Sequence, residues 1–194
     1  MKRFLDIFLS CIGLIILLPF FAVIAMLIKY DSRGPVFFRQ ERIGKNFREF
    51  KIYKFRSMEV DAFKKGPQIT VSGDNRVTRI GKVLRKYKID ELPQLINVLK
   101  GEMSFVGPRP EVRKYVELFK QDYQKLLIVR PGITDPASIK YSKEESVLSL
   151  SNNWEEDYIK RILPEKIQLS SQYINHHNIF IDLDLIFKTI FKIG

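Results

Sequence analysis

From Ile7 to Ile28 the chain carries no charge, and this run is bounded by Lys2, Arg3 and Asp6 on one side and Lys29 on the other. As one helix it would extend about 33 Å at about 1.5 Å per residue, enough for a hydrocarbon core of about 30 Å. Pro19 sits near its middle, where it removes a backbone donor and crowds the carbonyl of Ile15. The pattern therefore predicts a kink or break there, with half-helices Ile7–Leu18 and Phe20–Lys29 each about one leaflet deep. Basic residues flank both ends, Lys2 and Arg3 before the run and Lys29, Arg33, Arg39 and Arg42 after it. Such flanks stay cytoplasmic, so a re-entrant helix-break-helix satisfies both, whereas a plain span sends Lys2 and Arg3 across. A cleaved signal peptide is the weakest reading, because the run is too long and no small-x-small site follows.

Beyond the anchor, the pattern changes period several times. Gly34-Pro35 is a breaker, Val36 to Gln40 reads as a strand, Arg42 to Asn46 as a turn and Phe47 to Phe55 as an imperfectly alternating strand, so a basic hairpin is expected. Residues 61–75 are polar and aperiodic, a loop. Arg76 to Lys88 has helical spacing through Ile80, Val83, Leu84 and Tyr87. A second helix is expected from Pro93 to a Gly101 cap, with Asp90 and Glu91 at its N-terminus. Glu111 to Leu127 reads as one amphipathic helix with Val112, Tyr115, Val116, Phe119, Tyr123, Leu126 and Leu127 on its core face. The acidic stretch 142–165 suggests a helix ending near Pro164. In Ile179–Ile193, Phe180, Leu183, Phe187, Ile190 and Phe191 can share one face, which either packs in the core or lies in a membrane interface. The fold class expected is α+β, mainly helical, with an anchor over 1–30 and one domain of about 165 residues over 31–194.

Charge changes the picture in one way. The net charge is +11, and between Met1 and Arg56 eleven Lys and Arg face four Asp and Glu, so most of the excess lies beside the apolar run. An anionic leaflet attracts such a segment, and nucleic acid would too, so charge alone does not choose between them. Cys11 is the lone cysteine and lies inside the run, which excludes a disulfide framework and suits a reducing compartment. His176 and His177 are adjacent and unaccompanied, the usual pattern of surface histidines.

The candidate chemistry is concentrated near Asp90 and Glu91. Adjacent carboxylates at a helix start are ordinary caps, but here they follow Arg79, Lys82, Arg85, Lys86 and Lys88 with no intervening acid. Magnesium is typically held by one or two carboxylates plus substrate phosphates, and a carboxylate can itself attack phosphorus. Arg109, held between Pro108 and Pro110, suits bidentate phosphate recognition and equally suits a structural role under a turn. Arg130 in Arg-Pro-Gly is a second turn-fixed arginine.

Several blocks in order now resemble one family. They are Lys2-Arg-Phe-Leu-Asp6, Gly34-Pro-Val-Phe-Phe-Arg-Gln-Glu-Arg-Ile-Gly44, Tyr53-Lys-Phe-Arg-Ser-Met58, Thr78-Arg-Ile-Gly81, Asp90-Glu-Leu-Pro-Gln-Leu95, Asn97-Val-Leu-Lys-Gly101, Met103-Ser-Phe-Val-Gly-Pro-Arg-Pro-Glu111 and Arg130-Pro-Gly-Ile-Thr134. Over about the first 135 residues the chain resembles the bacterial sugar transferases, the monotopic phosphoglycosyl transferases, in their minimal single-domain form. The resemblance implies a re-entrant anchor pivoting at Pro19 in the bacterial inner membrane, a catalytic domain on its cytoplasmic face, and amphipathic helices resting on phospholipid. It implies transfer of a phosphosugar from a UDP-sugar to undecaprenyl phosphate with release of UMP, as the first membrane step of a surface glycan. By the same resemblance Asp90 would be the nucleophile of a covalent phosphosugar intermediate and Glu91 would help hold Mg2+. Lys54, Arg109 and Arg79 would match the family's basic residues around the phosphates, Arg56, Arg85 and Arg130 are further candidates for substrate binding, and a homodimer is left open. Leu18 stands where relatives often have Ser before the proline, and Thr134-Asp-Pro-Ala-Ser-Ile-Lys-Tyr141 replaces their usual loop. The rival reading, a membrane-tethered nucleic-acid-binding or regulatory module, leaves the carboxylate pair and the Arg109 turn without a task.

Overall fold

The computed structural model describes residues 2–62, 73–151 and 153–192. Among them the fold is mostly helical, with two small two-stranded sheets and one long apolar helix at the N-terminus.

That helix, α1, runs Lys2–Asp31 without interruption through Pro19. Of the kink or break expected at the proline, the break is not seen: the helix continues through Pro19. A proline costs its helix the bond to the residue four back, and the turns on either side remain intact to carry the rest. α1 is not a free rod. At its start Lys2 Nζ bonds Asp182 at 2.7 Å and Tyr173 Oη at 2.8 Å, Arg3 donates to the Val98 and Leu99 carbonyls, and buried Asp6 accepts from Ser104 Oγ and the Phe105 amide. At its middle Gly13 lies so close to Leu95 that an added Cβ would stand 3.2 Å from Leu95 Cδ1. At its end Phe21, Ile24 and Ile28 pack with Phe55 and Leu84 in one buried cluster. Each such buried side chain is worth about 1.5–3 kcal/mol. The other face of α1, including Phe4, Ile15, Ile16, Leu18, Phe20, Val23 and Met26, is exposed.

The basic hairpin forms as its alternation predicts. β1 (Phe37–Ile43) pairs antiparallel with β2 (Glu49–Phe55), from Phe37 opposite Phe55 to Ile43 opposite Glu49. Part of the expected 61–75 loop, residues 63–72, lies outside the described residues. α2 (Arg79–Lys86) is capped by Thr78, whose side chain accepts from the Gly81 amide. A single 3-10 turn, Ile89–Glu91, follows, and then α3 (Gln94–Lys100), closed by Gly101 at φ 84°. Asp90 and Glu91 therefore lie one turn before α3 rather than capping it.

β3 (Ser104–Val106) and β4 (Gly132–Thr134) form a short parallel pair that periodicity did not announce. They approach at two glycines: a Cβ on Gly132 would stand 2.1 Å from the Gly107 amide nitrogen, and one on Gly107 would stand 2.4 Å from the Arg130 carbonyl oxygen. Only glycine fits such a contact. Between these strands the single helix expected over 111–127 is two, α4 (Arg113–Leu118) and α5 (Lys120–Leu126), separated at Phe119 with φ −119° and ψ 39°. The core face is as predicted, with Val112, Tyr115, Val116, Tyr123, Leu126 and Leu127 buried in one cluster.

The remainder is α6 (Pro136–Lys140), α7 (Glu144–Leu148), α8 (Trp154–Asp157), a π-helical turn Tyr158–Ile162, α9 (Leu163–His176) and α10 (Ile179–Lys192). Pro164 does not end the preceding helix: the π-helical turn Tyr158–Ile162 runs directly into α9 with helical backbone at Ile162 and Leu163, and the proline lies in the first turn after it. α10 leaves Phe180, Leu183, Phe187, Ile190 and Phe191 exposed and buries Leu185. Of the two readings for its apolar face, core packing is thus excluded.

Candidate active site

Four side chains converge from three parts of the chain. β2 carries Lys54 outward at the end of the hairpin while Phe55 turns into the core beneath it. Lys88 adopts a left-handed conformation, φ 54°, which swings the chain so that the 3-10 turn presents Asp90 and Glu91 together. The close approach of Gly107 to Gly132 sets the start of the Pro108-Arg109-Pro110 turn, and Arg109 reaches back to Glu91.

Glu91 is the locked member of the pair. Lys54 Nζ lies 2.8 Å from its Oε1, Arg109 Nη1 donates to Oε2 at 3.2 Å, and Arg109 Nη2 donates to Oε1. Burial pushes its carboxyl up, but Arg109 and Lys54 outweigh burial and hold it well below the ordinary glutamate value. Glu91 in turn raises the Arg109 guanidinium, while burial lowers the Lys54 ammonium.

Asp90 is the open member. It is 7 % exposed, and its Oδ1 is buried without a hydrogen-bond partner. Burial raises its carboxyl to about 6, against the opposing pull of Lys54 and with a further push from the Glu91 charge. Two adjacent carboxylates thus differ through their surroundings alone, Glu91 held charged by its two cations and Asp90 raised by burial with no partner on Oδ1.

The pair opens into a cavity of about 990 Å³, whose wall includes Arg39, Arg42, Arg85, Lys88, Glu111, Tyr141, Glu144, Tyr158 and Lys166. Its size suits a nucleotide-sized ligand. Among the described residues no group of three or more His, Cys, Asp or Glu is close enough to hold a metal unaided. The donor set nevertheless fits a hard cation that takes its other ligands from phosphate and water: Asp90 Oδ1 is unpartnered, and Glu91 Oε2 accepts a single contact of 3.2 Å.

Of the basic residues singled out in the sequence, Lys54 and Arg109 stand on the carboxylates and Arg85 lines the same cavity, paired with Glu145. Arg56 reaches the cavity wall, but its guanidinium is committed to the end of α1, donating to the carbonyls of Arg33 at 2.6 Å, Ser32 at 2.7 Å and Ile28 at 3.4 Å and to Ser32 Oγ at 3.0 Å. Arg79 is exposed at the start of α2 and lies off the cavity wall. Arg130 donates to the Gly101 carbonyl at 2.8 Å and lines a separate pocket of about 160 Å³ with Lys2, Arg3 and Asp6.

A second charged cluster on the cavity wall was not anticipated. Lys166 of α9 lies 2.9 Å from Glu144 and 3.6 Å from Glu111, Tyr158 Oη donates to Glu111 at 2.7 Å, and Arg42 stands 3.5 Å from Glu111. Glu111 ends a motif already noted. Lys166 gives no signal of its own, since nothing in an amphipathic helix marks which lysine will be buried against acids from elsewhere.

Comparison with known proteins bears on this geometry. A family model described as bacterial sugar transferase matches residues 1–194. The UDP-N-acetylgalactosamine-undecaprenyl-phosphate N-acetylgalactosaminephosphotransferase of Aeromonas hydrophila is 41 % identical over 192 residues, covering 97 % of this chain and 42 % of that protein. The UDP-glucose:undecaprenyl-phosphate glucose-1-phosphate transferase of Escherichia coli K12 is 36 % identical over 197 residues, covering 99 % and 40 %. The exopolysaccharide production protein PSS of Rhizobium leguminosarum bv. phaseoli is 38 % identical over 200 residues, covering 98 % and 93 %. The chain thus spans less than half of the first two relatives and nearly all of the third.

Proposed function

The chain belongs to the bacterial sugar transferase family, and from that premise we propose that it is a phosphoglycosyl transferase moving a sugar 1-phosphate from a UDP-sugar to undecaprenyl phosphate. The observation that carries the reading is the unpartnered Asp90 Oδ1 beside a cation-locked Glu91 in a nucleotide-sized cavity. The kinds of donor and acceptor come from the relatives' activities.

In this mechanism an Asp90 carboxylate oxygen attacks the sugar-bearing phosphorus of the donor, a new P–O bond forms, and the bond to the bridging oxygen breaks, which releases UMP. A phosphate oxygen of the polyprenyl acceptor then attacks the same phosphorus, the bond to Asp90 breaks, and the carboxylate is restored. Phosphoryl transfer is mainly a matter of positioning and charge, so the task of Lys54 and Arg109 is to hold positive charge at the phosphates while fixing Glu91. Asp90 and Glu91 would hold Mg2+, which when bound neutralises charge on the diphosphate. Adding a chelator is expected to cut turnover, with restoration by excess Mg2+; full activity in its presence would remove the cation from the scheme.

The membrane arrangement we propose is monotopic, with α1 re-entrant or lying in the leaflet and the domain on the cytoplasmic face of the inner membrane. It is supported by the anchoring of both ends of α1 to the same domain, Lys2 to Asp182 and Arg3 to the Val98 carbonyl at one end, and the Ser32 carbonyl to Arg56 and Asp31 to the Ile80 amide at the other. A plain span would have to break one set. A tag placed before Lys2 should be reached by a membrane-impermeant label only in inverted vesicles; labelling of intact spheroplasts would restore the span.

The transferase reading is tested by incubating the protein with undecaprenyl phosphate and a panel of UDP-sugars and measuring UMP release. One sugar should give turnover dependent on both substrates. Silence across the panel with a folded, membrane-bound protein would reject the reading.

A further inference from the structure

The wall of the Asp90 cavity is not all charged. It also includes Leu95 of α3, Phe105 of β3, Ile133 of β4 and Ile186, Thr189 and Ile190 of α10. The last three are spaced as neighbours on one side of a helix. That side is fixed in place: Thr189 Oγ1 donates to the Leu185 carbonyl at 2.8 Å and therefore accepts from Thr134 Oγ1 at 2.6 Å. Leu185 is buried with Val106 and Tyr173, and Ile186 packs against that cluster.

Ile190 belongs to two surfaces at once. It lines the cavity, and it is 64 % exposed beside Phe187 and Phe191 on the outer apolar face of α10. At the other end of the strip Leu95 rests on Gly13 in the middle of α1. An apolar wall thus begins over α1, passes the Asp90 cavity and emerges onto the exposed face of α10.

We infer that this strip seats the isoprenoid units of the acceptor that adjoin its phosphate. The inference rests on the transferase reading. That reading requires the acceptor phosphate to reach Asp90 while its hydrocarbon remains out of water, and a UDP-sugar offers no comparable apolar surface. A continuous apolar path from the reacting carboxylate to an exposed apolar helix face meets that requirement, and the charged wall formed by Arg42, Glu111, Glu144 and Lys166 is left to the polar donor.

The test separates the two half-reactions. Ile190→Trp keeps the surface apolar at a position exposed enough to accept the larger ring, and it narrows the strip where it leaves the cavity. Phe180→Trp, on the exposed face but off the cavity wall, is the control. In Ile190→Trp the KM for undecaprenyl phosphate should rise about tenfold or more, while single-turnover UMP release without acceptor keeps its rate, and Phe180→Trp should change neither. Unchanged acceptor kinetics would overturn the inference, as would an equal slowing of donor cleavage, which would put the strip on the donor's side. A change only in the dependence of activity on bulk phospholipid would assign the strip to membrane lipid and overturn it as well. Absence of UMP release from the unmodified protein would instead sink the transferase reading, an outcome distinct from all of these.

Discussion

Asp90→Asn should abolish turnover, by about a thousandfold or more, and at the same time raise the stability of the protein near neutral pH. The first effect follows from losing the carboxylate of the pair that is not tied into an ion pair, since both Glu91 oxygens are engaged by Lys54 and Arg109. The second follows from linkage. Burial lifts the Asp90 carboxyl from 3.8 to about 6 in the folded protein. Between about pH 4 and pH 6 the folded state therefore binds more protons than the unfolded one, and stability falls as pH rises. Above pH 6 the full penalty of the buried charge is present, at most about 3 kcal/mol for a shift of about two units. Asparagine carries no charge, so the melting temperature of the variant should exceed that of the parent at pH 7.5, and the gap should close toward pH 4. The parent's rate of UMP release should climb as pH passes upward through about 6 and Asp90 ionises. A variant that is no more stable at pH 7.5 than at pH 4, relative to the parent, would show that Asp90 is not under this strain. Retained turnover would remove it as nucleophile.

The pair behind this prediction was legible in the sequence because its signal is local. Asp90 and Glu91 follow a basic run directly, and Arg109 is pinned between two prolines, so neither needed tertiary knowledge to be singled out. The hairpin was legible for the same reason, a breaker followed by alternation. What was lost depended on long-range contacts. The helical period of 111–127 continues across Phe119, so nothing in the pattern marks the break there. β3 and β4 are three residues each, too short to display alternation, and the Gly107–Gly132 contact that brings them together spans twenty-five positions. Arg56 and Lys54 are two residues apart in a basic strand and read alike, yet one caps the carbonyl end of α1 and the other touches Glu91, a division made only by where α1 packs. At Pro19 the pattern could not choose between a kink and a break, because helix rules give the cost of a proline but not the strength of the turns that tolerate it.

The second large effect belongs to Arg109. Glu91 is a buried carboxylate kept charged by two cations, and Arg109 supplies contacts to both of its oxygens whereas Lys54 supplies one. Removing one partner of a buried ion pair strands the other, which typically costs about 3–5 kcal/mol. Arg109 retains some exposure, with its side chain at 31 % against 13 % for Glu91, so water would enter and the loss should lie nearer about 2–3 kcal/mol. Arg109→Ala should therefore lower the melting temperature by several degrees and reduce kcat by about a hundredfold or more, through both the displaced Glu91 and the missing charge at the transferred phosphoryl group. Arg109→Lys distinguishes these contributions. An ammonium restores charge but cannot reach both Glu91 oxygens in one plane, so stability should recover in large part while kcat remains depressed. The sign at Glu91 gives an independent check by acid titration. Its carboxyl is held below the ordinary value in the folded protein, so its share of stability is complete at neutral pH and is lost as pH falls below the usual glutamate range. In Arg109→Ala that loss should begin at a higher pH than in the parent. Coincident acid-unfolding curves for the two proteins would mean that Lys54 alone holds Glu91, and Arg109 would then be left with a role toward substrate only.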